Sequence, residues 1–284
     1  MIPWHCEQLQ LIADIANNRP EFLNPLFLFL NYFDSPYFVL AVVPFVWVGF
    51  SWRWGLRLFY LIAASVVVNT FFKELVGWPR PCADCPSVGM LCLKSFGFPS
   101  GGAQTCMLLG GLLIYTWKTR WAWIVGVSYI ALVSFSRMYL GVHYPIDVLG
   151  GWVLGLGLLW LYVRSIGPIE QFLHRQRLEV CLGLSFVLPI ALMLATTSPH
   201  YFRVDAVAIG IGAYLSLKWG LYLADNRDVR KGVVRGVLAV GLMWIGLVVV
   251  QGHMPTPWVY GVLALWLSLG VSPVVSKIFT DKHI

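Results

Sequence analysis

Apolar stretches of about twenty residues recur along this chain, and short segments that carry most of its charges separate them. A helix of that length can cross the hydrocarbon core of a bilayer. With 58% hydrophobic and only 12% charged residues, the chain has too little polar surface to cover a soluble globule. The sequence therefore predicts an all-α protein built as a polytopic bundle of membrane helices. Nine helices are predicted, over residues 36–52, 57–76, 100–117, 121–139, 144–163, 178–196, 204–223, 234–251 and 257–276.

The formal net charge of +7 would suit an anionic partner such as a nucleic acid, but the distribution of charge indicates another origin. Most of the basic residues lie in alternate loops, which is the positive-inside bias of membrane proteins. The basic excess is therefore a topology signal, and no nucleic-acid partner is expected. The N-terminus is predicted outside and the C-terminus in the cytoplasm. The expected location is the inner membrane of a bacterium, with the functional site facing the periplasm or the exterior.

The same pattern divides the chain into four segments. Residues 1–35 lack a basic start followed by an apolar run, so they predict short helices on the outer membrane surface rather than a cleavable signal peptide. Residues 36–163 form the predicted catalytic core and 164–179 a cytoplasmic linker. Residues 180–284 add four membrane helices whose role the sequence leaves open.

Three short motifs fall on the predicted outer face: KELVGWPRP at 73–81, FPSGG at 98–102 and SRMYLGVHYPID at 136–147. Lysine offers a compact positive charge, and arginine offers a planar fork that matches phosphate oxygens. A Ser-Gly-Gly turn that opens a helix presents backbone N–H groups and the positive end of the helix dipole. Together the motifs predict a phosphate site. Its cations are Lys73, Arg80 and Arg137, and its turn is Ser100, Gly101 and Gly102.

The third motif also contains a histidine and an aspartate four residues apart. His143 and Asp147 are thus placed on one helical face. There a carboxylate can fix the imidazole tautomer and make the other ring nitrogen a better nucleophile. The pair predicts covalent phosphoryl transfer, in which the cations and the turn stabilise the charge of the transition state.

The three motifs resemble those of the type 2 phosphatidic acid phosphatase superfamily, whose usual forms are K-x6-RP, PSGH and SR-x5-H-x3-D. The resemblance covers residues 36–163, and nine spans with an outer N-terminus also resemble glucose-6-phosphatase of the same superfamily. It implies a phosphohistidine at His143, assistance from Asp147, and phosphate held without a metal or other cofactor. Lys73, Arg80, Ser100, Gly101 and Arg137 would hold the phosphate of a membrane lipid.

This sequence departs from the family pattern at Gly102, where the resemblance implies a histidine that protonates the leaving group. An alkoxide whose conjugate acid is as weak as water, with a pKa of about 15.7, needs that proton. A departing phosphate monoester, with a second pKa of about 6, hardly does. The departure therefore favours a lipid diphosphate, such as a polyprenyl diphosphate, as the substrate.

Several alternatives stay open at this point. His200 or His253, in outer loops, could supply the proton instead. The substrate could be phosphatidate, phosphatidylglycerophosphate or a sugar phosphate, and an alcohol rather than water could accept the phosphoryl group. The protein could also bind or transport a lipid phosphate without catalysis.

Four cysteines lie on the predicted outer side. A disulfide of Cys82 or Cys85 with Cys92 would brace the loop between Arg80 and the turn in an oxidising compartment. A zinc site is the alternative, although it needs four ligands at a clear spacing.

The pair Gly151 and Gly155 has GxxxG spacing. In a membrane such a pair permits close contact between helices, so it predicts packing.

Overall fold

The computed structural model describes residues 3–195, 202–222, 225–226 and 228–280, and the regular structure within these ranges is helical apart from one isolated β-bridge. The predicted all-α class is confirmed. The α-helices are α1 (Pro3–Asn17), α2 (Asn24–Leu30), α3 (Pro36–Gly49), α4 (Trp52–Val76), α5 (Pro81–Asp84), α6 (Gly101–Trp117), α7 (Arg120–Tyr139), α8 (Pro145–His174), α9 (Leu178–Ser185), α10 (Val187–Ala195), α11 (Phe202–Lys218), α12 (Val229–Val250), α13 (Thr256–Trp266) and α14 (Ser272–Thr280). Short 3-10 turns cover Glu21–Leu23, Asn31–Asp34 and Pro86–Val88, and a π-helical turn covers Leu267–Val271.

Five helical stretches among the described residues are long and apolar enough to cross a membrane, or six if the bent pair Glu21–Asp34 and Pro36–Gly49 forms one span. This is a multi-pass membrane protein, but the predicted count of nine spans is not confirmed. Helix α6 has only 17 residues, and the predicted helix over 178–196 is divided into α9 and α10. The sidedness of the termini stays a prediction. The five stretches are Trp52–Asp84, Arg120–Tyr139, Pro145–His174, Val229–Val250 and Thr256–Phe279.

The chain forms two compact units whose limits differ from the predicted segments. The first unit contains residues 1–35 and 65–167, and the second contains 36–64 and 168–284. Residues 36–64 thus group with the C-terminal segment. Helix α8 continues to His174, so most of the predicted linker is helical.

In the first unit, glycines let the helices approach closely. A Cβ atom built on Gly151 would lie 2.6 Å from the carbonyl oxygen of Ser100, and one built on Gly155 would lie 2.6 Å from that of Gln104. The predicted packing role of this pair is therefore confirmed, with α6 as the partner of α8. The contact fixes the beginning of α6 against the beginning of α8.

The N-terminal segment packs against the loops that follow α4 and α7. Ile12 of α1 is fully buried beside Val88 and Tyr144. Phe27 of α2 stacks on Tyr139 of α7, with ring centroids 3.9 Å apart. The short helices expected over residues 1–35 are present, and these contacts make them part of the first unit.

A disulfide joins Cys82 to Cys92, with their Cα atoms 5.8 Å apart. The bond closes the loop that begins directly after Arg80 and leads towards Ser100. One of the two expected pairings is thus realised, and Cys85 instead lies 3.1 Å from the hydroxyl of Ser87. Because Cys82 and Cys92 are paired, their thiols are not available as ligands for zinc.

The second unit shows a similar close approach, between α3 and α12. A Cβ on Gly49 would lie 2.7 Å from the carbonyl oxygen of Gly232, and one on Gly236 would lie 2.6 Å from the ring of Phe45. Arg235 donates from Nε to the carbonyl oxygen of Val48 at 2.9 Å. Small residues thus hold the two helices together.

The contact between α6 and α8 predicts the effect of one methyl group. We expect Gly155→Ala to lower the free energy of unfolding by about 1 to 3 kcal/mol, because the new Cβ must displace backbone of α6. Thermal unfolding of the detergent-solubilised protein measures the loss. The matched control is Gly157→Ala in the same helix, where a Cβ would have no atom within 4 Å. Equal unfolding midpoints for the two variants would contradict the packing role.

The disulfide predicts a redox-dependent stability. We expect Cys82→Ser with Cys92→Ser to cost about 2 to 4 kcal/mol, because the unfolded chain regains the freedom that the bond removes. A reductant should lower the unfolding temperature of the unchanged protein and leave that of the double variant unaltered. Cys85→Ser is the control and should keep the sensitivity to reductant. An unchanged protein that ignores the reductant would show that the bond does not contribute.

Candidate active site

Helix α6 begins at a turn that is held by hydrogen bonds of Ser100. Ser100 is its N-cap, and its Oγ accepts a hydrogen bond from the N–H of Ala103 at 3.4 Å. The N–H of Ser100 donates to the carbonyl oxygen of Asp147 at 2.9 Å. The N–H groups of Gly101 and Gly102 belong to the first helical turn, where no intrahelical acceptor exists. The turn therefore offers donors and the positive end of α6 to an anion.

A buried amide network supports this turn from behind. The side chain of Asn69 donates to the carbonyl oxygen of Pro99 at 3.2 Å and to Oε1 of Gln104 at 2.9 Å. Gln104 in turn donates to the carbonyl oxygen and the hydroxyl of Ser65, at 2.8 and 2.9 Å. Every polar atom named here has a partner, so the network fixes α6 on α4. Sequence reasoning had given Asn69 and Gln104 no such role.

His143 is buried between a carboxylate and a guanidinium. Its Nδ1 lies 3.3 Å from Oδ2 of Asp147, and its Nε2 lies 3.0 Å from Nη1 of Arg80. Since arginine can only donate, we assign the proton to Nδ1 and the lone pair to Nε2. The N–H of Tyr144 also donates to Oδ2 of Asp147, at 2.9 Å, so the carboxylate is anchored.

Burial lowers the pKa of His143 well below its usual value of 6.5, and the positive charges of Arg80, Lys73 and Arg137 lower it further. The imidazole is therefore neutral at neutral pH. A neutral imidazole whose Nδ1–H is directed at a carboxylate presents Nε2 as a nucleophile.

Lys73 and Arg80 are both held by the loop that precedes the turn. Lys73 Nζ donates to the carbonyl oxygens of Phe96 and Gly97 at 2.7 and 3.2 Å. Arg80 donates to the carbonyl oxygen and the hydroxyl of Ser95, at 2.6 and 2.9 Å. These acceptors are neutral, so a phosphate would be a stronger partner for either cation.

Arg137 is fully buried near the end of α7. Its Nη1 donates to Oδ1 of Asn31 at 2.9 Å and to Oδ2 of Asp34 at 3.3 Å, and its Nε and Nη2 donate to the hydroxyl of Ser136 at 3.1 and 3.0 Å. Just beyond α7, Gly141 adopts a φ of +69°, which lets the chain turn back to place His143 beside the other motifs. Sequence reasoning did not identify Asn31 or Asp34, because both lie far upstream and match no motif.

The structure brings all eight predicted site residues together in the first unit, in a cluster with Asp34. Three cations face two carboxylates there, which leaves one formal positive charge for an anionic ligand while the imidazole is neutral. Of the alternative proton donors, His253 belongs to the second unit and is exposed, and His200 lies outside the described residues. The eight residues are Lys73, Arg80, Ser100, Gly101, Gly102, Arg137, His143 and Asp147.

The chain is similar to several known membrane proteins. The sequence is 31% identical to the bacitracin transport permease protein BcrC of Bacillus licheniformis, over 60% of this chain and 83% of that protein. It is 29% identical to an undecaprenyl-diphosphatase of Sulfolobus acidocaldarius, over 57% of this chain and 81% of that protein. The crystal structure of a transmembrane PAP2 type phosphatidylglycerolphosphate phosphatase from Bacillus subtilis has the same fold, with a TM-score of 0.50 and 22% identity over 62% of this chain and 90% of that chain.

The sequence profile of the PAP2 superfamily matches residues 54–170. This range contains all eight predicted site residues and most of the length of the helices α4, α6, α7 and α8. The family resemblance drawn from the three motifs is confirmed, and the chain belongs to the PAP2 superfamily.

Proposed function

We propose that this protein is a membrane phosphatase or phosphotransferase that acts on a lipid phosphate through a phosphohistidine at His143. The observation that carries the proposal is the pairing of Nδ1 with Asp147, which leaves Nε2 as the nucleophile beside three cations and the beginning of α6. No other arrangement of the described side chains in this unit joins a nucleophile to so many phosphate-binding groups.

The proposed reaction has two displacements at phosphorus. In the first, Nε2 of His143 forms a bond to phosphorus while the bond to the leaving oxygen breaks, and Asp147 stabilises the imidazole that becomes positively charged. Lys73, Arg80 and Arg137, with the turn, stabilise the charge on the phosphoryl oxygens. In the second, water or an alcohol attacks phosphorus and the N–P bond breaks. The three cations supply the positive charge in this scheme, and we propose that no metal ion is needed.

Arg80 has to move for the first step. In the structure its Nη1 occupies the lone pair of Nε2, at 3.0 Å. A phosphate oxygen is a better acceptor for a guanidinium than a neutral imidazole. Substrate binding would therefore draw Arg80 away and uncover the nucleophile.

A lipid diphosphate is the substrate that we propose. The relative from Sulfolobus acidocaldarius is an undecaprenyl-diphosphatase, and Gly102 supplies no proton to the leaving group. A phosphate monoester leaves readily without that proton, since its second pKa is about 6. Phosphate esters of lipids or sugars would be poorer substrates, because the turn supplies no proton to their alkoxide leaving groups.

The sidedness of the site is also a proposal. The distribution of basic residues favours the outer face of the membrane for the three motifs. A disulfide in the loop beside Arg80 is consistent with an oxidising compartment on that face. In a bacterium this would be the periplasmic side of the inner membrane.

Phosphate release from the purified protein tests the function. We expect faster release from a polyprenyl diphosphate than from phosphatidate or a polyprenyl monophosphate, and activity that persists in EDTA. His143→Ala should reduce every rate to background, because the nucleophile is lost. The control is His174→Ala at the end of α8, which should keep the rates. Turnover that survives His143→Ala would refute the phosphohistidine.

A second candidate function is binding or transport of a lipid phosphate without catalysis. The relative from Bacillus licheniformis is a bacitracin transport permease protein, and the site lacks a histidine at Gly102. The same assay separates the two functions. A protein that binds the diphosphate with unchanged affinity before and after His143→Ala, and releases no phosphate, would be a binder or transporter.

The environment of His143 predicts how it titrates. Since its pKa lies well below 6.5, the imidazole should remain neutral at pH 6.5, where a solvated histidine is about half protonated. NMR of the ligand-free protein labelled with ¹⁵N-histidine measures this, with His143→Gln to assign the signals. The Nδ1–H tautomer should be present. Half protonation at pH 6.5 would show that neither burial nor the nearby cations lower the pKa of this ring.

A further inference from the structure

The carboxyl group of Asp34 fills the space beside Gly102. A Cβ atom built on Gly102 would lie 3.0 Å from Cγ and 3.1 Å from Oδ2 of Asp34. A Cβ built on Gly101 would lie 3.5 Å from Oδ1 of the same residue. Any side chain at position 102 would therefore meet Asp34 at once. A carboxyl group from a distant part of the chain stands where the motif has lost its own side chain.

The segment that carries this carboxyl group is fixed by packing. Asp34 ends the 3-10 turn Asn31–Asp34, in which the ring of Phe33 packs edge-on against Tyr129 of α7, with centroids 5.3 Å apart. Leu30, directly before the turn, is buried in a cluster with Tyr139. These apolar contacts hold the turn independently of any ion pair, so the position of Asp34 is preorganised.

Asp34 is accessible from outside, whereas its cationic partner is not. The side chain of Asp34 is 24% exposed and that of Arg137 is 0% exposed. The carboxylate also interacts electrostatically with Lys73 and Arg80. The carboxylate is thus near all three cations and partly open to solvent.

A bound phosphate changes the charge balance around this carboxyl group. The cations exceed the carboxylates by only one formal charge, so a phosphate dianion would leave the site with an excess of negative charge. Two anions that share a site favour retention of one proton between them. A carboxyl group that carries this proton is a hydrogen-bond donor and can act as a general acid.

We propose that Asp34 is a catalytic residue that donates a proton to the leaving oxygen, in place of the side chain that Gly102 lacks. This inference rests on the proposed function. As Nε2 of His143 bonds to phosphorus, the bond to the leaving oxygen breaks and that oxygen takes the proton of Asp34. In the second step the Asp34 carboxylate takes a proton from the attacking water while the N–P bond breaks. Asp34 is then protonated again, and the net reaction is hydrolysis.

The role of Asp34 depends on the leaving group. A departing alkoxide needs the proton, whereas a departing phosphate monoester leaves without it. The general acid should therefore matter little for a diphosphate and greatly for a phosphate ester. With Asp34 as the general acid, the site can hydrolyse phosphate esters as well as phosphoanhydrides.

Leaving-group dependence tests the proposal. We would measure the hydrolysis rates of the unchanged protein and of the Asp34→Asn variant, both as the whole chain. The four substrates are a polyprenyl diphosphate, p-nitrophenyl phosphate, phenyl phosphate and phosphatidate. The loss should be smallest for the diphosphate and p-nitrophenyl phosphate and should reach about 10²- to 10⁴-fold for phosphatidate. An equal loss on all four substrates would mean that Asp34 only positions Arg137, and would overturn the proposal.

An exchange of two side chains is the matched control. Asn31 and Asp34 both accept from Nη1 of Arg137, so Asn31→Asp with Asp34→Asn keeps one carboxylate and one amide on that cation. We expect the exchanged protein to retain the ester-selective loss, because the carboxyl group has left the space beside Gly102. Recovery of phosphatidate hydrolysis in this variant would show that charge on Arg137 is sufficient.

A second pair of variants tests the same space without relying on the Asp34→Asn protein. Asp34→Gly removes the carboxyl group, and Gly102→His added to it places an imidazole where the carboxyl group was. We expect phosphatidate hydrolysis to be higher in the double variant than in Asp34→Gly alone. Gly102→His by itself should lower it, since the new Cβ meets Asp34 and lies 3.2 Å from Cδ of Arg137. Slower phosphatidate hydrolysis by the double variant than by Asp34→Gly alone would overturn the proposal.

Trapping of the phosphoenzyme separates this proposal from the proposed function. Acid-sensitive phosphate on the His143 peptide, measured by mass spectrometry after mixing with p-nitrophenyl phosphate, should form in the unchanged protein and in Asp34→Asn alike. Turnover with no phosphohistidine in the unchanged protein would overturn the proposed function. Phosphohistidine in both proteins, together with a loss that ignores the leaving group, would overturn the role of Asp34 alone.

Discussion

The first unit depends on the hydrogen bonds and opposite charges that stabilise three cations within a largely apolar protein. Taking a charge out of water costs several kcal/mol unless hydrogen bonds and opposite charges compensate. Here the carbonyl groups of the loop before the turn compensate Lys73 and Arg80, while Asn31 and Asp34 compensate Arg137. These hydrogen bonds tie the loop to Lys73 and Arg80, and they tie the N-terminal segment, which apolar contacts also hold, to Arg137. Because most of these acceptors are neutral, the cations are kept in place but remain available to a stronger anion.

Backbone contacts position the reacting groups as much as side chains do. The N–H of Ser100 binds the carbonyl oxygen of Asp147, so the turn and the carboxylate that orients His143 are joined directly. Gly151 allows the same two helices to touch at this point. The proposed nucleophile and the turn are therefore held in a defined relative position, which in-line displacement at phosphorus requires.

The sequence predicted those parts of the site whose chemistry is encoded locally. His143 and Asp147 are four residues apart, and the arginine and glycine motifs have fixed spacing, so spacing and motif order were sufficient to group them. The expected helical face for this pair is wrong, because α8 begins at Pro145 and His143 lies in the loop before it. Spacing and motif order could not predict the position of Asp34, because its place beside Gly102 depends on the tertiary packing of Phe33 and Leu30. The count of nine spans is not confirmed among the described residues, for a related reason: apolar composition does not reveal that α6 ends after 17 residues or that a new helix begins at Val187.

The location of Asn31 and Asp34 has a consequence for how this superfamily is divided into parts. The matched segment begins at residue 54, and both partners of Nη1 of Arg137 lie before it. A fragment trimmed to the matched segment would keep every motif residue and yet leave that guanidinium nitrogen without these acceptors. Under the proposed role of Asp34, the group that compensates for the changed motif lies outside the matched segment, and a comparison of motifs alone would count the site as incomplete.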